Sequence, residues 1–150
     1  MLDQKLNSAF LALRWTYGLV PLLAGLDKFF NLLADWPAYL SPAVRGMLPV
    51  GAETFMHAVG VVEVLVGIMI LARWTRLGAY LAGGWLAAIA VNLVLAGALD
   101  VAVRDLAMAV GAYTLARLSE ARETAGSPAS ARVAAGAGSR QRPADGFRTA

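Results

Sequence analysis

Seven polar side chains stand within or at the edges of otherwise apolar sequence: Arg14, Lys28, His57, Glu63, Asn92, Arg104 and Asp105. Three kinds of chemistry are open to such a set: ion pairing, hydrogen bonding to a small polar ligand, and the handing on of a proton. Glu63 is the sharpest of them, lying between Val61–Val62 and Val64–Leu65–Val66. A buried carboxyl needs a cation, a proton or a wet cavity. Other chemistries are excluded. With no cysteine in the chain there is no disulfide, thiolate ligand or thiol relay, and His57 is its single histidine. A metal or haem site held by this chain alone is therefore not expected. No Gly-rich phosphate loop, nucleophile elbow or metal-binding His-Glu-x-x-His run is present.

The elements that must position these residues are membrane spans. Hydrophobic residues make up 59% of the 150 and charged residues 15%, where soluble domains run at roughly 45–50% and about 25%. So few charges cannot cover the surface of a small soluble globule. A span needs about 20 mostly apolar residues, and four segments qualify: 10–30, 54–72, 77–99 and 100–118. Asp3, the interrupting Arg14 and the lack of a small-x-small cleavage site identify the first as a retained helix rather than a signal peptide. The expected fold is all-α, an integral membrane four-helix bundle.

Orientation follows from lysine and arginine near the span ends. Lys5, Arg14, Arg73, Arg76, Arg117 and Arg122 share one side, and Lys28, Arg45 and Arg104 the other. Six against three places both termini in the cytoplasm. The loop 31–53, with Trp36, Tyr39 and three prolines, then faces outward as an interfacial segment. A short helix near Trp36–Leu40, ended by Ser41–Pro42, is expected there. Residues 119–150 have few large apolar side chains and read as a disordered cytoplasmic tail. Five arginines against three acids in that tail supply +2 of the net +3. The basicity therefore orients the protein on anionic lipid and points to no nucleic acid.

Helical spacing gathers the polar residues. Arg14, Gly18, Pro21, Gly25 and Lys28 fall on one stripe, as do His57, Gly60, Glu63 and Gly67. Gly84, Ala88 and Asn92 form a third, small-residue stripe that permits close helix approach within the chain or in a homo-oligomer. At 1.5 Å per residue, Glu63 sits roughly 14 Å into its span and His57 roughly 5 Å. Lys28, His57, Glu63, Asn92, Arg104 and Asp105 are thus expected to form an outward-facing polar pocket, with Arg14 alone on the inner side. Arg104 is the favoured partner for Glu63, with Arg14 the other candidate. The same residues also fit a packing device without substrate, or a proton path.

The sequences GLDK at Gly25–Lys28, GVVEVLVG at Gly60–Gly67 and VRDLA at Val103–Ala107, in that order across four spans, resemble the DoxX family of small bacterial membrane proteins. The likeness covers roughly residues 6–118. It implies a four-helix bundle in the bacterial inner membrane, with Arg14, Lys28, Glu63, Arg104 and Asp105 in the family's polar core. It further implies an accessory subunit of a membrane redox system, alongside other redox-complex subunits. Without cysteine, electron transfer would need a partner or a bound quinone; no cofactor intrinsic to the chain is expected. The competing expectations are a small-solute transporter using the same pocket and a non-catalytic scaffold. The sequence supplies no self-contained reaction.

Overall fold

The computed structural model describes residues 2–125. The chain divides into two units, Met1–Ser119 and Glu120–Ala150, and of the second only residues 120–125 are described. The elements are α1 (Leu2–Asp27), a 3₁₀ turn (Trp36–Tyr39), α2 (Pro42–Met47), α3 (Ala52–Leu71), α4 (Thr75–Leu95) and α5 (Leu99–Ala125). No strand occurs among the described residues.

Three helices are long and apolar enough to cross a membrane: Gln4–Asp27 within α1, Ala52–Leu71 and Thr75–Leu95. α5 has the length, but Asp100, Arg104, Asp105 and Arg117 dilute its apolar character. Large apolar side chains such as Leu23, Leu65, Ile68, Val91 and Val110 point outward, as expected where the surrounding medium is lipid. What is inside is small. Ala79, Ala82, Ala112 and Ala116 are buried with Phe10, Val66, Ile70 and Leu115, drawing α1, α3, α4 and α5 into one core. A second cluster, Ala90, Leu93 and Ala102, joins α4 to α5 near the 96–98 turn.

The tightest contact is between α1 and α3. A β-carbon on Gly25 would lie 2.6 Å from the Gly60 carbonyl oxygen, and one on Gly60 would lie 2.6 Å from that of Gly25. A turn or two along, a β-carbon on Gly67 would meet the Gly18 carbonyl oxygen, again at 2.6 Å. The backbones therefore touch, and only glycine permits it. Both glycine pairs are seven residues apart, so one antiparallel seam serves two helical turns. Gly18, Gly25, Gly60 and Gly67 all belong to the stripes read from the sequence.

Helix ends follow local chemistry. α1 stops where Asn31 takes a left-handed φ of 50° and its N–H reaches the Asp27 carbonyl at 2.7 Å. α4 ends with Gly97 at φ 81°, its N–H on the Val94 carbonyl and that of Ala98 on the Leu93 carbonyl. Ser41–Pro42 does not simply end the turn before it. The Ser41 hydroxyl accepts from the Val44 N–H at 3.2 Å and starts α2, with Pro42 in its favoured first helical position.

Two expectations need correction. α5 runs on to Ala125 instead of ending at Leu118, because SEARETA is rich in Ala, Glu and Arg, which favour helix whatever their polarity. The rest of the expected tail, 126–150, lies outside the described residues. The stripe Gly84–Ala88–Asn92 is also not the packed face of α4: Gly84 and Ala88 are exposed, while Gly78, Ala79, Ala82, Ala90 and Leu93 are buried. α4 has small residues on several sides, so size alone does not choose its inner face.

The seam gives a direct contrast. Gly60→Ala should destabilise the protein by about 1–3 kcal/mol through overpacking. Gly84→Ala, where nothing lies within 4 Å of the added carbon, should be neutral or stabilising by up to about 1 kcal/mol. Thermal unfolding of both variants in the same detergent measures the difference.

Candidate functional site

The seam aligns the end of α1 with the middle of α3. Lys28 follows the last residue of α1, and its Cβ packs against Gly60. The lysine side chain turns inward, and Nζ meets Glu63 Oε2 at 2.6 Å. The residues are 4% and 7% exposed, so both charges have left water and must satisfy each other. The ammonium also sits 3.7 Å from the ring centroid of Trp36, in the strap between α1 and α3.

Arg104 is not the partner of Glu63. Its side chain is 68% exposed, and its nearest acid is the adjacent Asp105, at 3.5 Å. Neighbouring residues on a helix diverge by about 100°, so 104 and 105 cannot both face inward. Asp105 takes the inner position, 8% exposed, where it feels Lys28 and Glu63 electrostatically.

Arg14 does not reach Glu63 either. Its guanidinium donates to the carbonyls of Ile70 at 3.0 Å, Leu71 at 2.6 Å and Ala72 at 2.5 Å. These close the C-terminus of α3, where carbonyls lack partners within the helix and a positive charge is favoured. Thr75 adds a hydroxyl bond to the Ile70 carbonyl at 2.9 Å. Arg14 is thus committed to the end of α3.

Asn92 and His57 also leave the pocket expected for them. The Asn92 amide clasps the strap: Oδ1 accepts from the Ser41 N–H at 3.0 Å and Nδ2 donates to the Tyr39 carbonyl at 2.9 Å. The His57 ring stacks on Phe29, centroids 5.0 Å apart and planes 8° from parallel. Of the six pocket residues expected, Lys28 pairs with Glu63, Asp105 lies within electrostatic range of both, and Arg104, Asn92 and His57 take other roles.

Three participants were not expected. Asp27 accepts from the N–H groups of Leu32 and Leu33 at 3.1 and 3.0 Å and from the Trp36 indole at 2.7 Å. Trp36 thereby bridges Asp27 and Lys28. The Trp85 indole N–H is wholly buried and approaches Glu63, yet it has no acceptor in hydrogen-bonding geometry. An unmade bond of this kind costs about 1–3 kcal/mol. One sequence feature could have shown it: Trp85 precedes Asn92 by two helical turns and shares its face.

A separate apolar groove of about 320 Å³ lies between α4 and α5, with Tyr80, Gly83, Gly84, Leu106, Val110 and Tyr113 among its lining. None of the charged residues above lines it. Among the described residues, no three His, Cys, Asp or Glu side chains converge to hold a metal.

An all-helical bundle with three membrane-length helices and a buried polar layer is the framework of an integral membrane protein. The chain belongs to the DoxX family, whose model matches residues 9–104. That match takes in the glycine seam, Lys28, Glu63 and the strap, and ends one residue before Asp105. No curated protein matches the chain, and no solved structure matches it.

The pair has an energetic signature. Lys28→Met leaves Glu63 without its cation and should cost about 3–5 kcal/mol, whereas Lys28→Met with Glu63→Met should return close to wild-type stability. Denaturant titration in mixed micelles, with helicity as the readout, checks both.

Proposed function

We propose that this DoxX protein is an accessory subunit of a membrane redox system, with the Lys28–Glu63–Asp105 layer as the place where a quinone headgroup binds. In this reading α5 is the fourth span, both termini are cytoplasmic and the strap faces outward in the inner membrane. The positive charges support that orientation, being six on the side of the 72–74 turn and three on the strap side.

The single observation that carries the proposal is the Trp85 indole N–H, buried close to Glu63 but without an acceptor in hydrogen-bonding geometry. A carbonyl oxygen is the chemical complement of that donor. Lys28 supplies a second donor, and Glu63 and Asp105 are carboxyl groups that can hold a proton next to it. Small residues around the layer, such as Gly25 and Gly60, bring the helices close and exclude water. A bound quinone would supply two-electron, two-proton chemistry; the chain itself supplies donors, a proton-holding carboxylate and an apolar surround.

Quinone extracted from purified protein tests this. Wild type should retain quinone, and Trp85→Phe, which keeps the ring but removes the N–H, should retain about tenfold less, the equivalent of one lost hydrogen bond. Equal retention by Trp85→Phe and by the Lys28→Met/Glu63→Met double variant, both folded, would leave the polar layer as a packing device only.

A further inference from the structure

The strap between α1 and α3 has little core of its own. Leu32, Leu33 and Met47 are 82%, 74% and 82% exposed, and within it only Leu40 and Ser41 are buried. Two latches hold it to the bundle. One is Asp27, with its three N–H donors including the Trp36 indole. The other is Asn92 of α4, whose amide takes both the Ser41 N–H and the Tyr39 carbonyl. Arg45 bonds the Pro37 carbonyl at 2.7 Å, tying the strap to itself and not to the bundle.

The latches coincide with the polar layer. Asp27 adjoins Lys28 in sequence, and Trp36 lies between them in space, donating its N–H to one and offering its ring face to the other. The 3₁₀ turn carrying Trp36 packs on α3, whose outer turns present Met56 and Val59 on the same side as Glu63. Lifting the strap would remove the indole from Lys28 and uncover the α3 face leading to Glu63. A segment with few buried apolar contacts and two polar attachments belongs to the low-stability part of a fold.

We infer that the strap is a closure over the Lys28–Glu63 pair, with Trp36 as its gate and Asn92 as the latch that holds it shut. A small ligand with a hydrogen-bond-accepting head then reaches the pair from the strap end of the bundle. As a ligand route this rests on the proposed function; as a closure it does not, and the experiment reads the closure alone.

The absence of native cysteine makes introduced thiols clean reporters. Val59→Cys, 8% exposed one turn from Glu63, is placed in the full chain in detergent. Its rate of modification by a charged, water-soluble thiol reagent is compared with that of Ala79→Cys, 0% exposed in the core near the 72–74 turn. Adding Asn92→Ala should speed modification of Cys at position 59 about tenfold by raising the open population, with position 79 unchanged. Trp36→Ala should have the same effect. No acceleration at 59 overturns the closure, and equal acceleration at both sites overturns it in favour of general loosening. Quinone retention plays no part in either outcome, so the two proposals fail separately.

Discussion

The backbone contact between α1 and α3 is the constraint on which the remaining structure depends. Lipid gives apolar side chains no reason to leave it, so helices must associate through close packing and polar contacts. At Gly25–Gly60 each carbonyl oxygen lies 2.6 Å from where the other glycine's β-carbon would be, and the Gly18 carbonyl oxygen does the same to Gly67. Contact this close leaves no freedom in register. Once Gly25 faces Gly60, Lys28 lies beside α3 within reach of Glu63, and the strap must begin where α1 ends.

Each buried or partly buried charge has a different solution to the same problem, that an ion in a low-dielectric interior needs compensation nearby. Arg14 uses helix carbonyls that have no partners of their own. Asp27 uses strap N–H groups and an indole. Lys28 and Glu63 use each other. Asp105 has its adjacent Arg104 at 3.5 Å and feels Lys28 at longer range. Among the described residues the unsatisfied donor, the Trp85 N–H, lies in the Lys28–Glu63 layer, while Arg14 and Asp27 are committed to a helix end and the strap. That asymmetry is why the layer, and not the apolar α4–α5 groove, is the place to look for function.

Much of this could be read from residue order. The stripes on the first two spans contain all four seam glycines, and the isolation of Glu63 among valines marks it as a residue needing a partner. The choice of partner was not legible. By residue count Lys28 lies at a helix end, where a long side chain can reach water, and Arg104 lies deeper in its span. The structure reverses this: the seam brings Lys28 inward, and adjacency to Asp105 turns Arg104 out. The Gly84 stripe misled for a related reason, since a helix with small residues on several faces carries no unique packing direction.

The sequence by itself determined the class and the positions at risk: an all-α membrane bundle, and polar residues too costly to be idle. These depend on composition and on the 3.6-residue repeat, which are local properties. Only the tertiary structure decided who pairs with whom, that Asn92 and Asp27 hold the strap, and that two tryptophans join the layer. Such choices depend on the rotation and register of one helix against another, set here by sub-van-der-Waals exclusion at glycine. No single helix contains that information.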